Sequence, residues 1–350
     1  MATVLKAKEN PTFVMDQGAV VLSLDAELLW GHLDILDEKR FNARYPNAGA
    51  AYDHVLRSFC NAGVSATWLV VGGMALSECR GAADARMKGL PPAWRQRIPA
   101  GNEVTAPSWY RRSFIRQLAN AAVPQEIGLH GGLSHLIWTD RHSVPAVAKT
   151  ELEAGLAALR DAGVQPTSFS FPRNLERHHS LLAEAGMRCY RGTAPILSEK
   201  MGRTIPGAVL RVMDELGRAV PPPVWPQQKM PGLWNIPASM FLYPIGESRS
   251  RIVNHQTRLD RFEKGIEAAA RHRGIFHFGL HPVNLAESPR GCRLFDSLIE
   301  RLAHARQKGD VSILTMAQLS TRMEALAERA GFPDASPSPL PGQMIGAGQY

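Results

Sequence analysis

The sequence predicts an α/β protein whose strands and helices alternate around a single barrel. Roughly eight apolar segments are each followed by a segment of helical spacing, the order that builds a parallel sheet. The first segment is not followed by the Gly-x-Gly-x-x-Gly pattern of doubly wound dinucleotide-binding sheets. The residues suited to chemistry follow the C-terminal ends of apolar segments, where barrel enzymes hold their sites. A barrel of about seven to eight strands accounts for this pattern better than an open sheet.

Strands are predicted where short apolar runs end in glycine or polar residues. The first run, 19–27, ends in two acids, and the second, 65–71, ends at Gly72-Gly73. Later strands are predicted at 126–129, 167–171, 188–191, 233–241, 274–280 and 311–315. The alternation of these runs with helical segments favours parallel pairing.

Helices are predicted where apolar residues recur at a spacing of three or four. In 50–62, Tyr52, Val55 and Phe59 form one stripe, and Gly63 provides the stop. Further helices are predicted at 108–122, 144–162, 175–185, 259–271, 293–308 and 316–330.

One catalytic barrel domain is predicted at 1–332, with residues 1–17 as a lead-in, followed by a disordered tail at 333–350 rich in Ser, Pro and Gly. An insertion at 74–124 and a proline-rich, irregular region at 193–230 both follow barrel strands. We therefore expect both to lie over the mouth of the barrel and to shape the choice of substrate.

Composition narrows the class of protein. The chain has 350 residues, 45% of them hydrophobic, and a net charge of +8. The positive residues are spread along the chain without interleaved aromatics, which argues against nucleic-acid binding and suits a substrate that carries phosphate. No run reaches the roughly 18 apolar residues of a membrane span, and the N-terminus lacks an apolar signal core. Four scattered cysteines without a CxxC pair indicate reduced thiols and a cytoplasmic protein.

Two histidines and two acids form the strongest candidate site. His130 and His135 follow a short strand and are separated by a loop that begins Gly131-Gly132, so a tight turn can hold both rings near one divalent metal. Asp25 and Glu27 end the first strand two positions apart, and that spacing points both carboxylates to the same face. Either acid could complete a metal site.

Further candidates follow other strands. Arg173 comes after Phe171-Pro172, where it could bind a carboxylate of the site or pair with a surface acid. Strand alternation places His277 and His281 on one face, and His281, nearer the mouth, is the better candidate for chemistry. We expect Asn174 and three tryptophans to contact substrate, the tryptophans as hydrophobic walls of the kind that sugar sites use: Trp30, Trp138 and Trp234.

Taken together, these residues resemble the polysaccharide deacetylases, carbohydrate esterase family 4 of the NodB-homology superfamily. The segments that resemble its motifs are Ser23-Leu-Asp25-Ala-Glu27, His130 to His135, Ser170-Phe-Pro-Arg173-Asn174 with Cys189-Tyr-Arg-Gly192 behind it, Gly232-Leu-Trp-Asn-Ile-Pro237, and Phe276-His-Phe-Gly-Leu-His281-Pro-Val-Asn284. The resemblance covers about residues 18–320. It departs from the usual pattern at Ala26, which replaces a second aspartate, and in the histidine spacing of five instead of four.

The resemblance implies a distorted TIM-like (β/α) barrel and metal-dependent hydrolysis of an amide. It implies Glu27 or Asp25, His130 and His135 as ligands of a divalent metal, with zinc as the default and cobalt, nickel or iron as alternatives. Asp25 would be the general base, Arg173 would hold it charged, and His281 would protonate the leaving amine.

The implied substrate is an N-acylated amino sugar, as a small molecule or a short glycan, from which an acetyl or formyl group is removed. Two other functions fit the same residues: a hydrolase of the same barrel acting on a non-sugar amide, and a catalytically inactive barrel kept as a binding protein. The sequence leaves the sugar, the acyl group and the oligomeric state open.

Overall fold

The computed structural model of the protein describes residues 4–6, 11–13, 15–139, 143–201, 204–216, 219–243 and 253–329, the first two segments by their backbone alone. The tail predicted at 333–350 lies outside these residues. The four cysteines are free thiols, and none of the described helices is both long and apolar enough to cross a membrane.

The described residues form fourteen strands, eleven α-helices and seven 3₁₀ turns. The strands are β1 Val4–Lys6, β2 Pro11–Phe13, β3 Gly18–Ala26, β4 Thr67–Val70, β5 Cys79–Arg80, β6 Ala100–Gly101, β7 Glu126–His130, β8 Ser168–Ser170, β9 Cys189–Gly192, β10 Gln227–Met230, β11 Leu233–Pro237, β12 Met240–Leu242, β13 Ile275–Leu280 and β14 Val311–Leu314. The helices are α1 Glu38–Arg44, α2 Ala48–Ala62, α3 Pro92–Arg95, α4 Arg112–Ala119, α5 Pro145–Asp161, α6 His179–Glu184, α7 Leu197–Lys200, α8 Ile205–Leu216, α9 His255–His272, α10 Pro289–Gln307 and α11 Met316–Arg329. The 3₁₀ turns are Leu28–His32, Gly72–Ala75, Gly81–Ala83, Ala85–Met87, Leu136–Trp138, Pro172–Asn174 and Pro282–Glu287.

Ten strands form one sheet that curls into a barrel. Its order is β10-β11-β9-β8-β7-β4-β3-β13-β12, and β14 pairs with the first half of β3. All of these pairs are parallel except β10 with β11. The run 233–242 pairs with β9 through β11 and with β13 through β12, so it joins the two edges of the sheet. The predicted distorted (β/α) barrel is therefore confirmed.

The alternation of β3 decides which of its side chains face the site. Val20, Leu22 and Leu24 belong to the large apolar core that includes the surrounding helices. Ala19 and Val21 belong instead to a smaller cluster with Leu69 of β4, Trp234 of β11 and Ile275 of β13. Strand alternation places Ser23 and Asp25 on this same inward side, where both are bonded to Arg191 of β9. The barrel interior thus changes from apolar to polar toward the C-terminal strand ends.

The opposite end of the barrel is closed by α11. Met316, Leu319 and Met323 of this helix belong to the smaller apolar cluster. The first turn of the helix is held by Glu126, at the start of β7, because the Ala317 backbone N–H donates to its carboxylate at 2.9 Å. The C-terminal strand ends are therefore the end at which polar residues can meet a ligand.

Three predictions differ from the observed elements. The strand predicted at 233–241 is divided into β11 and β12. Residues 193–230 were expected to be irregular, yet they contain α7, α8 and β10. The prolines of this region concentrate at 221–226, whereas Pro206 lies in the first turn of α8, where a missing N–H costs nothing. The predicted helix 175–185 begins only at His179, because His178 adopts a left-handed φ angle of 56° that an α-helix cannot contain. Just before the predicted range, Arg173 and Asn174 have left-handed φ angles of 55° and 56°.

Candidate active site

The two acids of the first motif reach the site by different routes. Asp25 lies within β3, and Glu27 follows the end of the strand. The chain then turns sharply at Leu28, which has a φ of 45°, an uncommon conformation for a branched residue. The Tyr52 hydroxyl steadies this turn by accepting the backbone N–H groups of Glu27 at 3.1 Å and Leu28 at 3.2 Å.

Gly31 leaves the space that the Glu27 carboxylate fills. A Cβ atom at this position would lie 2.1 Å from Glu27 Cδ and 2.3 and 2.4 Å from the two carboxylate oxygens. A side chain here would displace the Glu27 carboxylate from its observed place, so the glycine serves close approach and not a positive φ angle. The carboxylate folds back over the turn into the barrel mouth, where it is 3% exposed.

Glu27 meets both predicted histidines. One carboxylate oxygen, Oε2, lies 3.3 Å from His130 Nε2 and 3.4 Å from His135 Nε2. All three residues are buried, and their ligand atoms lie within 4.8 Å of one another. The structure thus brings Glu27, His130 and His135 together as the sequence predicts.

The extra residue between the histidines is absorbed by a glycine turn. Gly131 has a φ of 73°, which favours glycine, and it follows directly on the end of β7 at His130. The two imidazole rings lie with their centroids 4.9 Å apart despite the five-residue spacing. The longer spacing is therefore compatible with one metal.

His130 is oriented from the neighbouring strand. Its Nδ1 lies 2.6 Å from Ser170 Oγ and 3.2 Å from the Ser170 carbonyl oxygen. The Ser170 hydroxyl in turn lies 3.4 Å from Asp25 Oδ1. Because Nδ1 is engaged on that side, Nε2 faces Glu27, the arrangement usual for a metal-binding histidine.

Asp25 is held by Arg191, which corrects the expectation that Arg173 would hold it. Arg191 Nη2 lies 2.7 Å from Asp25 Oδ2, and both side chains are almost fully buried. Arg173 instead pairs with Asp34 at 2.5 Å, where both are partly exposed. The left-handed backbone at Arg173 turns its side chain away from the barrel interior, whereas Arg191 lies on the inward face of β9.

The two histidines that strand alternation places on one face, His277 and His281, differ in burial. His277 is fully buried and lies 2.9 Å from Ser23 Oγ and 3.2 Å from the carbonyl oxygens of Ile236 and Pro237. His281 is partly exposed, with its Nε2 3.3 Å from Glu27 Oε1 and 3.5 Å from Asp25 Oδ2. Its ring packs edge-on against Phe241. Of the two, His281 is the one that a ligand in the mouth can reach.

Electrostatics favour charged acids beside one neutral imidazole. Burial raises the pKa of Asp25, but Arg191, His130 and His281 outweigh it and lower the pKa below its usual value. Burial likewise opposes ionisation of Glu27, and the surrounding histidines lower its pKa well below the usual value. Burial lowers the pKa of His135 to about 3. His135 is therefore neutral at ordinary pH, the form that binds metal.

His130 behaves differently from His135. Burial lowers its pKa, but the charges of Asp25 and Glu27 outweigh that effect and raise the pKa above the usual value. A metal at the site would have to displace this proton, so metal binding is expected to release protons.

The tryptophans predicted as substrate walls are core residues. Trp30, Trp138 and Trp234 are fully buried. The indole N–H of Trp30 donates to the Trp109 carbonyl oxygen at 2.8 Å, and Trp138 packs against Phe169 and Phe171. Large apolar rings near a site are more often part of its support than of its surface. Asn174, by contrast, is partly exposed and lines a cleft together with Arg191, Phe241 and Tyr243.

A second groove lies outside the barrel, between α2 and α10, with a volume of about 650 Å³. Its polar residues pair with one another, as where His54 Nε2 lies 2.9 Å from Asp296 Oδ1, and they are partly exposed. Buried, converging polar groups are the better sign of chemistry, so we place the site at the strand ends.

The residues at the strand ends fit a divalent metal. Two imidazoles and one carboxylate are a donor set that zinc and its neighbours bind. Glu27 Oε2 faces both Nε2 atoms, and the second nitrogen of His130 already has a partner in Ser170. Ser170 and Arg191 lie inside segments that resemble the family motifs, but the sequence predicted no role for either. A signal for Arg191 was present, since it ends the strand-like run 188–191 and a charged side chain that becomes buried needs a partner.

Comparison with solved structures identifies the class of fold. A candidate polysaccharide deacetylase from Mycobacterium smegmatis superposes with a TM-score of 0.57 at 17% identity, over 93% of this chain and 94% of that one. A second, from Pseudomonas aeruginosa PAO1, gives 0.55 at 12% identity over 90% and 92%. The PuuE allantoinase gives 0.52 at 13% identity over 88% and 90%. At the level of sequence, the chain matches no family model and no curated protein.

These likenesses show the fold. The chain is a distorted (β/α) barrel of the kind that deacetylases and an allantoinase share. This fold agrees with the one that the resemblance of the sequence motifs implies.

Proposed function

We propose that the protein is a metal-dependent N-deacylase that hydrolyses the amide of an N-acylated amino sugar or glycan precursor. The observation that carries the proposal is the buried cluster of Glu27, His130 and His135. Asp25 and His281 lie beside this cluster at the mouth. The shared fold with candidate polysaccharide deacetylases supports the reaction class.

Glu27, His130 and His135 would hold the metal, and Asp25 would act as general base. A bound divalent metal would supply Lewis-acid polarisation of the acyl oxygen and lower the pKa of a coordinated water from about 16 toward 7. Glu27 is the ligand in this assignment because its oxygen faces both histidines. Asp25 instead directs its oxygens to Arg191 and Ser170, which keep it ionised and fixed.

Proton transfer completes the reaction. Asp25 takes a proton from the attacking water, the new C–O bond forms, and the C–N bond breaks as His281 delivers a proton to the leaving amine. His281 Nε2 lies 3.5 Å from Asp25 Oδ2. Both groups therefore lie within reach of one bound amide, Asp25 at the attacking water and His281 at the leaving nitrogen. The net charge of +8 further favours a substrate that carries phosphate.

A second candidate is hydrolysis of a non-sugar amide in the same site. Two observations favour it. The three tryptophans expected to form hydrophobic walls of the kind that sugar sites use are buried, and an allantoinase shares this fold. Asn174 and Phe241, which line the cleft beside Arg191, would then select the substrate.

The experiment has two parts. Metal content of the purified protein is measured by mass spectrometry, and amine release is then followed with a panel of N-acetylated and N-formylated amino sugars beside N-acyl amino acids and ureides. Metal at one equivalent with release from the sugars supports the first proposal, and release from the other amides supports the second. Protein that binds no divalent metal and releases no amine would be an inactive barrel.

A further inference from the structure

The two histidines of the site are held in different ways. His130 Nδ1 is bonded to Ser170, but His135 Nδ1 is buried without a hydrogen-bond partner among the described residues. Metal-binding histidines usually donate their second N–H to a partner that fixes the ring. The place of His135 must therefore be set by the backbone of the loop that carries it.

Glu151 of α5 fixes that loop immediately before His135. Its Oε2 accepts the Ser134 backbone N–H at 2.8 Å and the Ser134 hydroxyl at 2.9 Å. Its own carbonyl oxygen accepts the Leu133 N–H at 2.9 Å. One residue thus takes three donors from two consecutive positions of the loop.

The loop has no room to relax around these bonds. A Cβ atom at Gly132 would lie 2.6 Å from the Glu151 carbonyl oxygen, so the loop backbone lies directly on the helix. On its other side, the N–H groups of Gly72 and Gly73 donate to Gly132 and Leu133 at 2.9 and 2.7 Å. The segment between the histidines is therefore held from both sides, and Ser134 is its last fixed point before His135.

An ionisable residue at this place is unusual for packing alone. Glu151 is 1% exposed, and a buried carboxyl group costs free energy unless it is hydrogen-bonded. A purely structural role would be met by an apolar side chain of similar volume. What the carboxyl group adds is an acceptor for the two Ser134 donors.

We infer that Glu151 is a positioning residue for His135: by holding Ser134 it places the imidazole for metal binding. The inference rests on the proposed metal site.

The test measures the metal affinity of metal-free protein, by zinc titration against a chromophoric chelator and by the visible spectrum of the cobalt form. Glu151→Met keeps the volume and removes the acceptor, and we expect affinity to fall about 10- to 100-fold. Glu151→Gln keeps an acceptor oxygen for both Ser134 donors, and its affinity should stay within about threefold of the wild type. The cobalt spectrum of the Met variant should also change, since one ligand is displaced.

Leu159→Ala is the matched control, because Leu159 is buried in the same helix and takes no part in the hydrogen bonds that hold the loop. This variant should lower the melting temperature without changing metal affinity, which separates a positioning role from a loss of stability. If Glu151→Met does not fold, Ser134→Ala removes one of the two donors and should weaken affinity about threefold or more.

Wild-type affinity in both Glu151→Met and Ser134→Ala would overturn the inference. Equal losses in Glu151→Gln and Glu151→Met would also overturn it, because the Gln variant retains the acceptor. Wild-type protein that binds no metal would instead refute the proposed function, and the two failures are thereby distinguished.

Discussion

Arg191 Nη2 lies 2.7 Å from Asp25 Oδ2, and both side chains are at most 4% exposed. The same guanidinium donates to Ser23 at 3.1 Å, one inward position earlier on β3. A buried carboxylate without a partner would shift toward its neutral form. Arg191 therefore favours the ionised form of Asp25, which the proposed role of general base requires.

Replacing Arg191 by Met should abolish most activity and leave the metal in place. We expect turnover to fall about 100-fold or more, because Asp25 loses its charge and its orientation. Breaking the buried pair should also reduce the free energy of unfolding by about 3 kcal/mol. The turnover rate, the metal content and the melting temperature of this variant, each compared with the wild type, check the prediction.

Arg173→Met is the matched control for this substitution. It removes the same charge from a partly exposed pair with Asp34, so stability should change by about 1 kcal/mol or less. Its effect should fall on KM, since Arg173 adjoins Asn174, which lines the cleft beside the site. A larger loss of turnover in the Arg173 variant than in the Arg191 variant would contradict this prediction. Arg173 would then matter more for catalysis than the Arg191 pair with Asp25.

The two acids should fail in different ways. Asp25→Asn should keep most of the metal and lose at least about 100-fold in turnover, because a proton acceptor is removed. Glu27→Ala should lose metal, and excess metal should partly restore its activity, because one of three ligands is missing. Metal content by mass spectrometry beside the rate checks both.

His130→Ala serves as the reference for loss of a ligand and should behave like the Glu27 variant. Metal-free Asp25→Asn together with a fully loaded, active Glu27→Ala would reverse the two roles. Asp25 would then be the ligand, and the base would have to be sought elsewhere.

Gly31→Ala should damage the metal site more than the fold. The added Cβ would occupy the position of the Glu27 carboxyl group, which must then leave the two histidines. We expect metal affinity to fall about 10-fold or more, the size of loss seen when ligand geometry is disturbed. Zinc titration of the metal-free protein measures it.

Gly89→Ala is a suitable control, since its Cβ would meet only Val147 at an ordinary 3.5 Å. This variant should bind zinc as the wild type does. Unchanged affinity in Gly31→Ala would mean that the Glu27 carboxylate can hold its place from a different side-chain conformation.

Glu151 should make the stability of the metal-free protein depend on pH. Burial raises its pKa from 4.5 to about 7, so the folded state keeps its proton where the unfolded state has released it. Its contribution is complete below about pH 4.5 and is lost as pH rises through about 7, a total of about 3 kcal/mol.

Urea unfolding of the wild type and of Glu151→Gln between pH 5 and 8 isolates this effect, because all other groups are common to both. The wild type should lose stability relative to the Gln variant as pH rises. A constant difference across this range would show that the Glu151 pKa is not raised.

The sequence alone was enough to predict the fold class and the placement of the main site residues. Apolar runs alternate with amphipathic segments, and because this pattern is local it can be recognised in a single sequence. Asp25, Glu27, His130 and His281 all come directly at or after predicted strand ends, and parallel strands bring such ends together. The meeting of Glu27 with both histidines was therefore predictable.

Pairings across the barrel were not predictable in the same way. Arg173 and Arg191 both follow or end apolar runs, and only the inward register of β9 and the left-handed backbone at Arg173 decide which one meets Asp25. The burial of the three tryptophans was not predictable for the same reason. The sequence around an aromatic residue near a strand end does not show whether its ring faces the mouth or the core.

The sequence by itself thus determined the alternating barrel and the acids and histidines that its strand ends carry, since both follow from residue type and local spacing. The tertiary structure alone decided the partner of Asp25, the burial of Trp30, Trp138 and Trp234, and the anchoring of His135 through Ser134 by Glu151. The physical reason is that these features depend on contacts between segments far apart in the chain. Their geometry is set by strand register and helix packing, which no local pattern encodes.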